Sequence, residues 1–210
     1  MKPRYLLLIT LLLMLLLPAS AMAEDPAATE EPLILYMYDI PEWGLRIPLQ
    51  QDAYVITQDV QDDDPFLTTL GMDIESWRAS MVERGCYLHT FLTGTGIPVC
   101  MLQVFVEGDV EHDFNAWSDD ELAVFAQSMA DNYAESGLAL AAGEIDRTDG
   151  ADFVILWWLD EEEVLSAMAI TMYDGLYVEV DLSGLRVSLT EFHQKLLYNT
   201  IENIQFPGVQ

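Results

Sequence analysis

The sequence predicts an α+β fold, an antiparallel β-sheet covered by helices on both faces. Three observations carry that reading. Short runs of β-branched and aromatic residues end at tight turns, among them Asp149-Gly150 and Asp174-Gly175, which favour hairpins. Other stretches repeat apolar residues every three or four positions behind a Ser or Asp cap, as amphipathic helices do. The order β, α, β-hairpin, α, β-meander, α joins strands through short turns, whereas a parallel doubly wound sheet alternates strand and helix throughout.

The first 23 residues stand apart from that fold. Lys2 and Arg4 precede an apolar run from Tyr5 to Leu17 broken only by Thr10, and Ala21-Met22-Ala23 carries the small-x-small pattern that a signal peptidase reads. This apolar core is shorter than the about twenty residues a membrane-spanning helix needs, and Glu24 and Asp25 follow at once. Residues 1–23 therefore read as an export signal cleaved near Ala23, leaving a secreted or extracytoplasmic chain with no transmembrane helix. Residues 24–32, EDPAATEEP, mix acids, prolines and alanines with no apolar period and read as a disordered acidic linker. Residues 33–206 remain as one domain.

Within that domain, residues 33–40, 45–47 and 54–57 are rich in aromatic and aliphatic side chains and read as strands. Asp64 caps a short helix with Pro65 at its first position, where the missing N–H costs nothing, and Gly71 ends it. Asp73 opens a second helix whose Ile74, Trp77 and Met81 share a face, and Gly85 closes it. Residues 86–92 and 97–106 flank Thr93-Gly94-Thr95-Gly96 as a hairpin, with Pro98 placing one strand late or at an edge. Ser118 and Glu121 form a capping box before the stripe Leu122, Phe125, Ala126, Met129, Ala130 and Tyr133, with an exit at Gly137. Runs 138–146, 151–159, 164–173 and 176–182 read as a four-stranded meander, and Ser188 with Glu191 repeats the capping box ahead of a closing helix.

With that order in place, three short motifs resemble the PsbP-like family, named after an extrinsic photosystem protein: Gly44-Leu45-Arg46-Ile47-Pro48, the helix entry Asp64-Pro65-Phe66, and the closing Ile201-Glu202-Asn203-Ile204-Gln205-Phe206. The resemblance spans about residues 33–206 and implies an antiparallel sheet between helices. The tryptophan that the family carries shortly after the early proline is absent, and Tyr54 stands nearest to its place. Exported bacterial members look like proteins of unassigned activity, so the resemblance implies architecture and no catalytic residues.

Charge bounds the partners. The chain has 8 Lys and Arg against 36 Asp and Glu, a formal net charge of −28, and loss of the signal would remove two of the cations. Such a field repels nucleic acid, whose binding rests on phosphate neutralisation, and repels anionic lipid for the same reason. Hydrophobic residues still make up 51% of the sequence, enough for a real core, so the charge does not signal disorder.

The residues that suggest chemistry are few. Cys86 and Cys100 lie on the two arms of the hairpin and raise a disulfide in an exported protein, although a turn near Gly94 and Thr95 sets them out of register; two buried free thiols are the alternative. His89, His112 and His193 have no i, i+4 partner for a zinc helix, and Glu111-His112-Asp113 beside Asp109 reads equally as a polar connection. The acid runs Asp62-Asp63-Asp64 and Asp160-Glu161-Glu162-Glu163 offer oxygen ligands to calcium, with Asp62, Asp63, Glu161, Glu162 and Glu163 as the metal candidates. They lack the alternating spacing and glycine of an EF-hand loop, and solvated turns account for them as well. No G-x-S-x-G elbow, S-x-x-K signature or phosphate loop occurs. Trp157-Trp158 sends one indole to each face of its strand; were one face open, a tryptophan beside Tyr173 or Tyr177 would form a platform for a peptide or glycan.

These readings converge on an exported, noncatalytic interaction or accessory protein of the bacterial envelope or extracellular space, with a protein partner of the envelope and no cofactor. A calcium-binding protein is the alternative, and an envelope hydrolase with converging acids in a cleft is a third.

Overall fold

The computed structural model describes residues 34–69, 71, 73–94, 97–134, 137–159, 165–184 and 189–208, so the expected signal and linker lie outside the described residues. Leu33–Gln210 forms one compact unit. Nine strands are described: β1 (Leu35–Ile40), β2 (Leu45–Gln50), β3 (Tyr54–Thr57), β4 (Cys86–Gly94), β5 (Ile97–Glu107), β6 (Ala139–Asp146), β7 (Phe153–Leu159), β8 (Leu165–Tyr173) and β9 (Leu176–Gly184). The helices are α1 (Pro65–Thr69), α2 (Ile74–Glu83), α3 (Asp119–Ala134) and α4 (Glu191–Glu202), with a 3₁₀ turn at Phe114–Ala116.

Seven strands form one antiparallel sheet in the order β3-β4-β5-β9-β8-β7-β6, so the expected meander is present and its last strand docks beside the hairpin. The single layer expected from the sequence is revised in one respect: β1 and β2 make a separate two-stranded sheet, tied through Arg46 to Gln205 after α4. Pro98 does not put β5 at an edge. It pairs only with Thr93 of β4, and pairing with β9 starts at Cys100, beyond the proline's missing donor.

Local caps set the helix starts. Asp64 Oδ1 accepts from the backbone N–H of Phe66 and Leu67 at 3.0 and 2.9 Å, and Asp64 Oδ2 accepts from Tyr54 at 2.6 Å, which anchors α1 to β3. Glu121 reaches back to the Ser118 N–H at 2.8 Å while Ser118 Oγ accepts from Glu121 N at 3.3 Å. The closing helix differs from expectation. It starts at Glu191 with Thr190 as cap, because His193 Nδ1 accepts the Thr190 N–H at 3.0 Å in place of the expected glutamate; Ser188 lies outside the described residues.

The apolar interior divides into three clusters. The largest joins β1, β2 and α4 to one set of alternating strand residues, including Leu102, Val104, Phe153, Ile155, Trp157, Val178, Val180 and Leu182. The second gathers Ile56, Leu67, Ile74, Met81, Cys86, Phe91 and Phe105 under α1 and α2. The third packs Leu122 and Ala130 of α3 onto Val154, Leu156, Trp158, Met168 and Ile170. Residues one apart on β7 thus enter different clusters, as the period of two requires.

Candidate functional site

The same period leaves a polar strip on β9 between the second and third clusters, with Tyr177 at one end packed against the third. Tyr177, Glu179, Asp181 and Ser183 alternate with the core residues Val178, Val180 and Leu182. Registry sets Asp181 between Gln103 of β5 and Met168 of β8, and Glu179 between Phe105 and Ile170. The C-terminal end of α2, Val82 and Glu83, with the cap residue Arg84 stands on one side, and Tyr133 near the end of α3 and Leu138 beyond it stand on the other. The result is a cavity of about 760 Å³ floored by β5, β9 and β8 and also lined by Trp158 and Ser166.

Its floor is polar and buried. Glu179 is 8% exposed, and Tyr177 donates its hydroxyl proton to Glu179 Oε2. A hydrogen bond links the Glu179 and Asp181 carboxyls, and Asp181 Oδ1 is buried without a partner. Burial drives both carboxyls above their ordinary range; hydrogen bonds from Tyr177 and Asp181 oppose the rise at Glu179, the Glu179 charge lifts Asp181 further, and Arg84 opposes the rise at both. The pair therefore retains protons under conditions in which exposed acids are ionised. Burial together with Glu179 and Asp181 raises the Tyr133 phenol to about 12, so it stays protonated.

Aromatic walls complete the site. Trp158 is 2% exposed, its ring lies 5.2 Å from that of Tyr133, and its indole N–H has no hydrogen-bond partner. The cavity's cation is Arg84, whose guanidinium lies 5.3 Å from the centre of the Phe105 ring and makes no ion pair within 4.0 Å among the described residues. Behind Asp181 the polar row continues to Gln103 and His89. The Gln103 amide nitrogen lies 3.0 Å from His89 Nε2 and can only donate, which leaves the ring proton on Nδ1. Burial, then Arg84, lowers His89 to about 4, so the ring is neutral.

The sequence candidates fall elsewhere. Cys86 and Cys100 are free and buried, so the hairpin bridge is not formed. Cys86 pairs with Phe105 and Cys100 with Leu92, five positions apart on β5, or roughly 16 Å at about 3.3 Å per residue, where a bridge needs Cα atoms within about 7 Å. A bulge between Cys86 and Leu88 also turns Cys86 into the second cluster while Cys100 packs in the first. Burial pushes both thiols up to about 12.

Asp62 and Asp63 are exposed in a turn, and Asp62 pairs with Arg78 at 2.9 Å. Glu161, Glu162 and Glu163 lie outside the described residues. Among the described residues no group of three or more His, Cys, Asp or Glu is arranged to hold a metal. His112 is exposed with its ring 5.5 Å from Trp117, and Asp113 caps the 3₁₀ turn through the Asn115 N–H at 2.9 Å. The tryptophan pair divides as expected: Trp157 Nε1 donates to Glu144 at 2.7 Å in the first cluster, whereas Trp158 reaches the cavity that Tyr177 also lines. Tyr173 packs instead on Phe206 at 5.0 Å.

The sequence assigns no functional role to Glu179, Asp181 or Arg84, and it places Tyr133 only on the apolar stripe of α3. A signal for the first two was present, because Phe153–Leu159 is apolar at every position while Tyr177, Glu179, Asp181 and Ser183 break each second position of β9. A central strand that alternates has one face that its neighbours do not cover.

Among the described residues no helix is long and apolar enough to cross a membrane. No protein-family model matches the chain, and no curated protein matches it in sequence. Among solved structures it is similar to the solution structure of cyanobacterial PsbP (CyanoP) from Synechocystis sp. PCC 6803, at 13% identity, 86% coverage of this chain, 96% of that chain and a TM-score of 0.50. That likeness shows a PsbP-like α+β fold.

Proposed function

We propose that the chain is an exported, noncatalytic accessory protein of the bacterial envelope or extracellular space, a member of the PsbP-like family that holds a partner protein against the β9 groove. Its helices clothe both sheet faces in an α/β/α arrangement, a layering supported by the alternation of β7 between the cluster of α4 and that of α3. The N-terminal signal pattern supports export. The observation that carries the binding reading is the gap between the second and third clusters, where a polar strip on a central strand lies open between two helices.

A photo-crosslinking residue at exposed Val82, on the groove's rim, is expected to capture one discrete partner in cells that export the protein, while the same residue at Phe192 on α4 does not. Equal labelling at both positions, or none at Val82, overturns the reading.

One observation favours a hydrolase as the second reading: two hydrogen-bonded carboxyls that share protons within a cavity are equipped for acid–base work. Direct contact between them leaves no space for a glycosidic bond, since the carboxyls of glycosidases stand at least about 5 Å apart. Cleavage of peptide or amide bonds of peptidoglycan by the purified protein, abolished in Asp181→Asn, would replace the binding reading.

A further inference from the structure

The cavity presents hydrogen-bonding groups that its own walls do not satisfy. Asp181 Oδ1 is a buried oxygen without a partner, and Trp158, 2% exposed, has a buried indole N–H without one. Leaving such a group unpaired costs about 1–3 kcal/mol; Asp181 Oδ1 calls for a donor from a ligand, whereas the indole N–H calls for an acceptor, a water or a carbonyl oxygen. The volume of about 760 Å³ lies within the roughly 300–1,000 Å³ of small-molecule sites.

We propose that this cavity binds an organic cation bearing N–H donors, an alkylammonium or guanidinium group received by Glu179 and Asp181 among the rings of Tyr133, Trp158 and Tyr177. The proposal rests on the groove being the working surface and names what that surface recognises.

Four features select a cation. The acids lie two apart on one face of β9, so a single group spans both. Four aromatic residues, Phe105, Tyr133, Trp158 and Tyr177, line the same space, and ring faces attract cations most strongly where water is excluded. The net charge of −28 concentrates cations around the molecule. Arg84, a guanidinium already at the mouth and free of ion pairs among the described residues, demonstrates that the rim accommodates such a group beside an aromatic ring. A metal ion is a poorer occupant, because the described residues supply no group of three ligands. An anion would face the two acids.

Occupation changes protonation. The empty pair retains protons because burial disfavours its charge, and an arriving ammonium stabilises the ionised form, so a proton passes to the solvent as the cation binds. The heat of binding then depends on the buffer's ionisation enthalpy.

The cation has two sources, a free amine or a basic side chain of the partner, and two probes separate them: putrescine, and Nα-acetyl-L-lysine methylamide. In calorimetry on the purified protein at least one probe is expected to bind at a single site, with proton release. Glu179→Gln or Asp181→Asn should weaken binding at least tenfold. Arg84→Ala should tighten it several-fold by removing a like charge; the side chain is exposed and makes no ion pair among the described residues, and a circular-dichroism melt of the variant checks that loss of its contact with Phe105 leaves the chain folded. Binding of putrescine alone assigns a free amine, and binding of the lysine derivative a protein side chain; either supports the cation. No binding by either probe, binding indifferent to Glu179→Gln and Arg84→Ala, or binding abolished by Arg84→Ala overturns it. A crosslink at Val82 that persists while both probes fail removes the cation and keeps the accessory reading, whereas loss of both removes both.

Discussion

Asp181 illustrates how a side chain can serve a ligand at the expense of the fold. Its neighbours are Glu179 with Tyr177 on its own strand, Gln103 across β5, Arg84 from α2 and Tyr133 from α3. Burial raises both acids above their ordinary values of 3.8 and 4.5, so the folded chain binds their protons more tightly than the unfolded chain does. Stability from this pair is fully present below those ordinary values and is lost as pH climbs through the raised ones, each tenfold gain in proton affinity on folding being worth about 1.4 kcal/mol. The double variant Glu179→Gln/Asp181→Asn removes the titration while keeping side-chain size. It should melt above the parent at pH 8, with the gap closing toward pH 4 in thermal melts followed by circular dichroism. A parent that melts higher than the variant at pH 8 would show the pair to be ionised and stabilised by neighbours.

At the scale of elements, the connections matter most where a glycine has no substitute. Gly108, just after β5, lies against Trp43 of the β1–β2 turn, and a Cβ there would meet Trp43 Cζ3 at 2.6 Å. Trp43 packs on the first cluster, so the contact fastens the small sheet to the large one. Gly108→Ala should therefore destabilise by about 1–3 kcal/mol, the usual cost of overpacking, measurable by urea unfolding; a neutral result would mean that Trp43 swings away freely. The same connections explain what was legible in advance. Tight turns bound the meander strands, helices α3 and α4 carry amphipathic stripes, and Asp64 and Ser118 cap as their spacing predicts, whereas Asp73 makes no side-chain cap and α4 is capped by Thr190. The β1–β2 sheet was not separable from the large one, because its separation depends on a long-range bridge from Arg46 to Gln205 that no local pattern encodes. The bulge that turns Cys86 away from Cys100 is equally silent in sequence. For the cavity, β9 announced its polar face through alternation, but Arg84 and Tyr133 reach it from two helices about 50 residues apart in sequence, and their convergence exists only once the strand order is fixed.

For the whole molecule the governing quantity is net charge. Among the described residues the ion pairs are Arg46 with Asp39, Arg78 with Asp62, Arg147 with Asp119 and buried Asp152, and Lys195 with Glu191. Exposed pairs contribute about 0–1 kcal/mol each and weaken with salt. Repulsion summed over a charge of −28 opposes folding, and salt screens it as the Debye length falls from about 30 Å at 0.01 M to about 10 Å at 0.1 M. Repulsion is the larger effect, so the melting temperature should rise by several degrees between 10 and 300 mM NaCl and then level off; a fall would show that the few pairs dominate. Calcium separates screening from ligation. Calcium chloride matched in ionic strength to NaCl should leave the melting temperature within about a degree of the NaCl value if the acids act only as a diffuse field. A dedicated site adds RT ln(1 + [L]/Kd), about 2.7 kcal/mol at a hundredfold excess over Kd, so at millimolar calcium it would lift the midpoint well beyond the screening curve. Such an excess, lost on replacing Glu161, Glu162 and Glu163 with Gln but not on replacing Asp62 and Asp63 with Asn, would assign calcium to Glu161, Glu162 and Glu163.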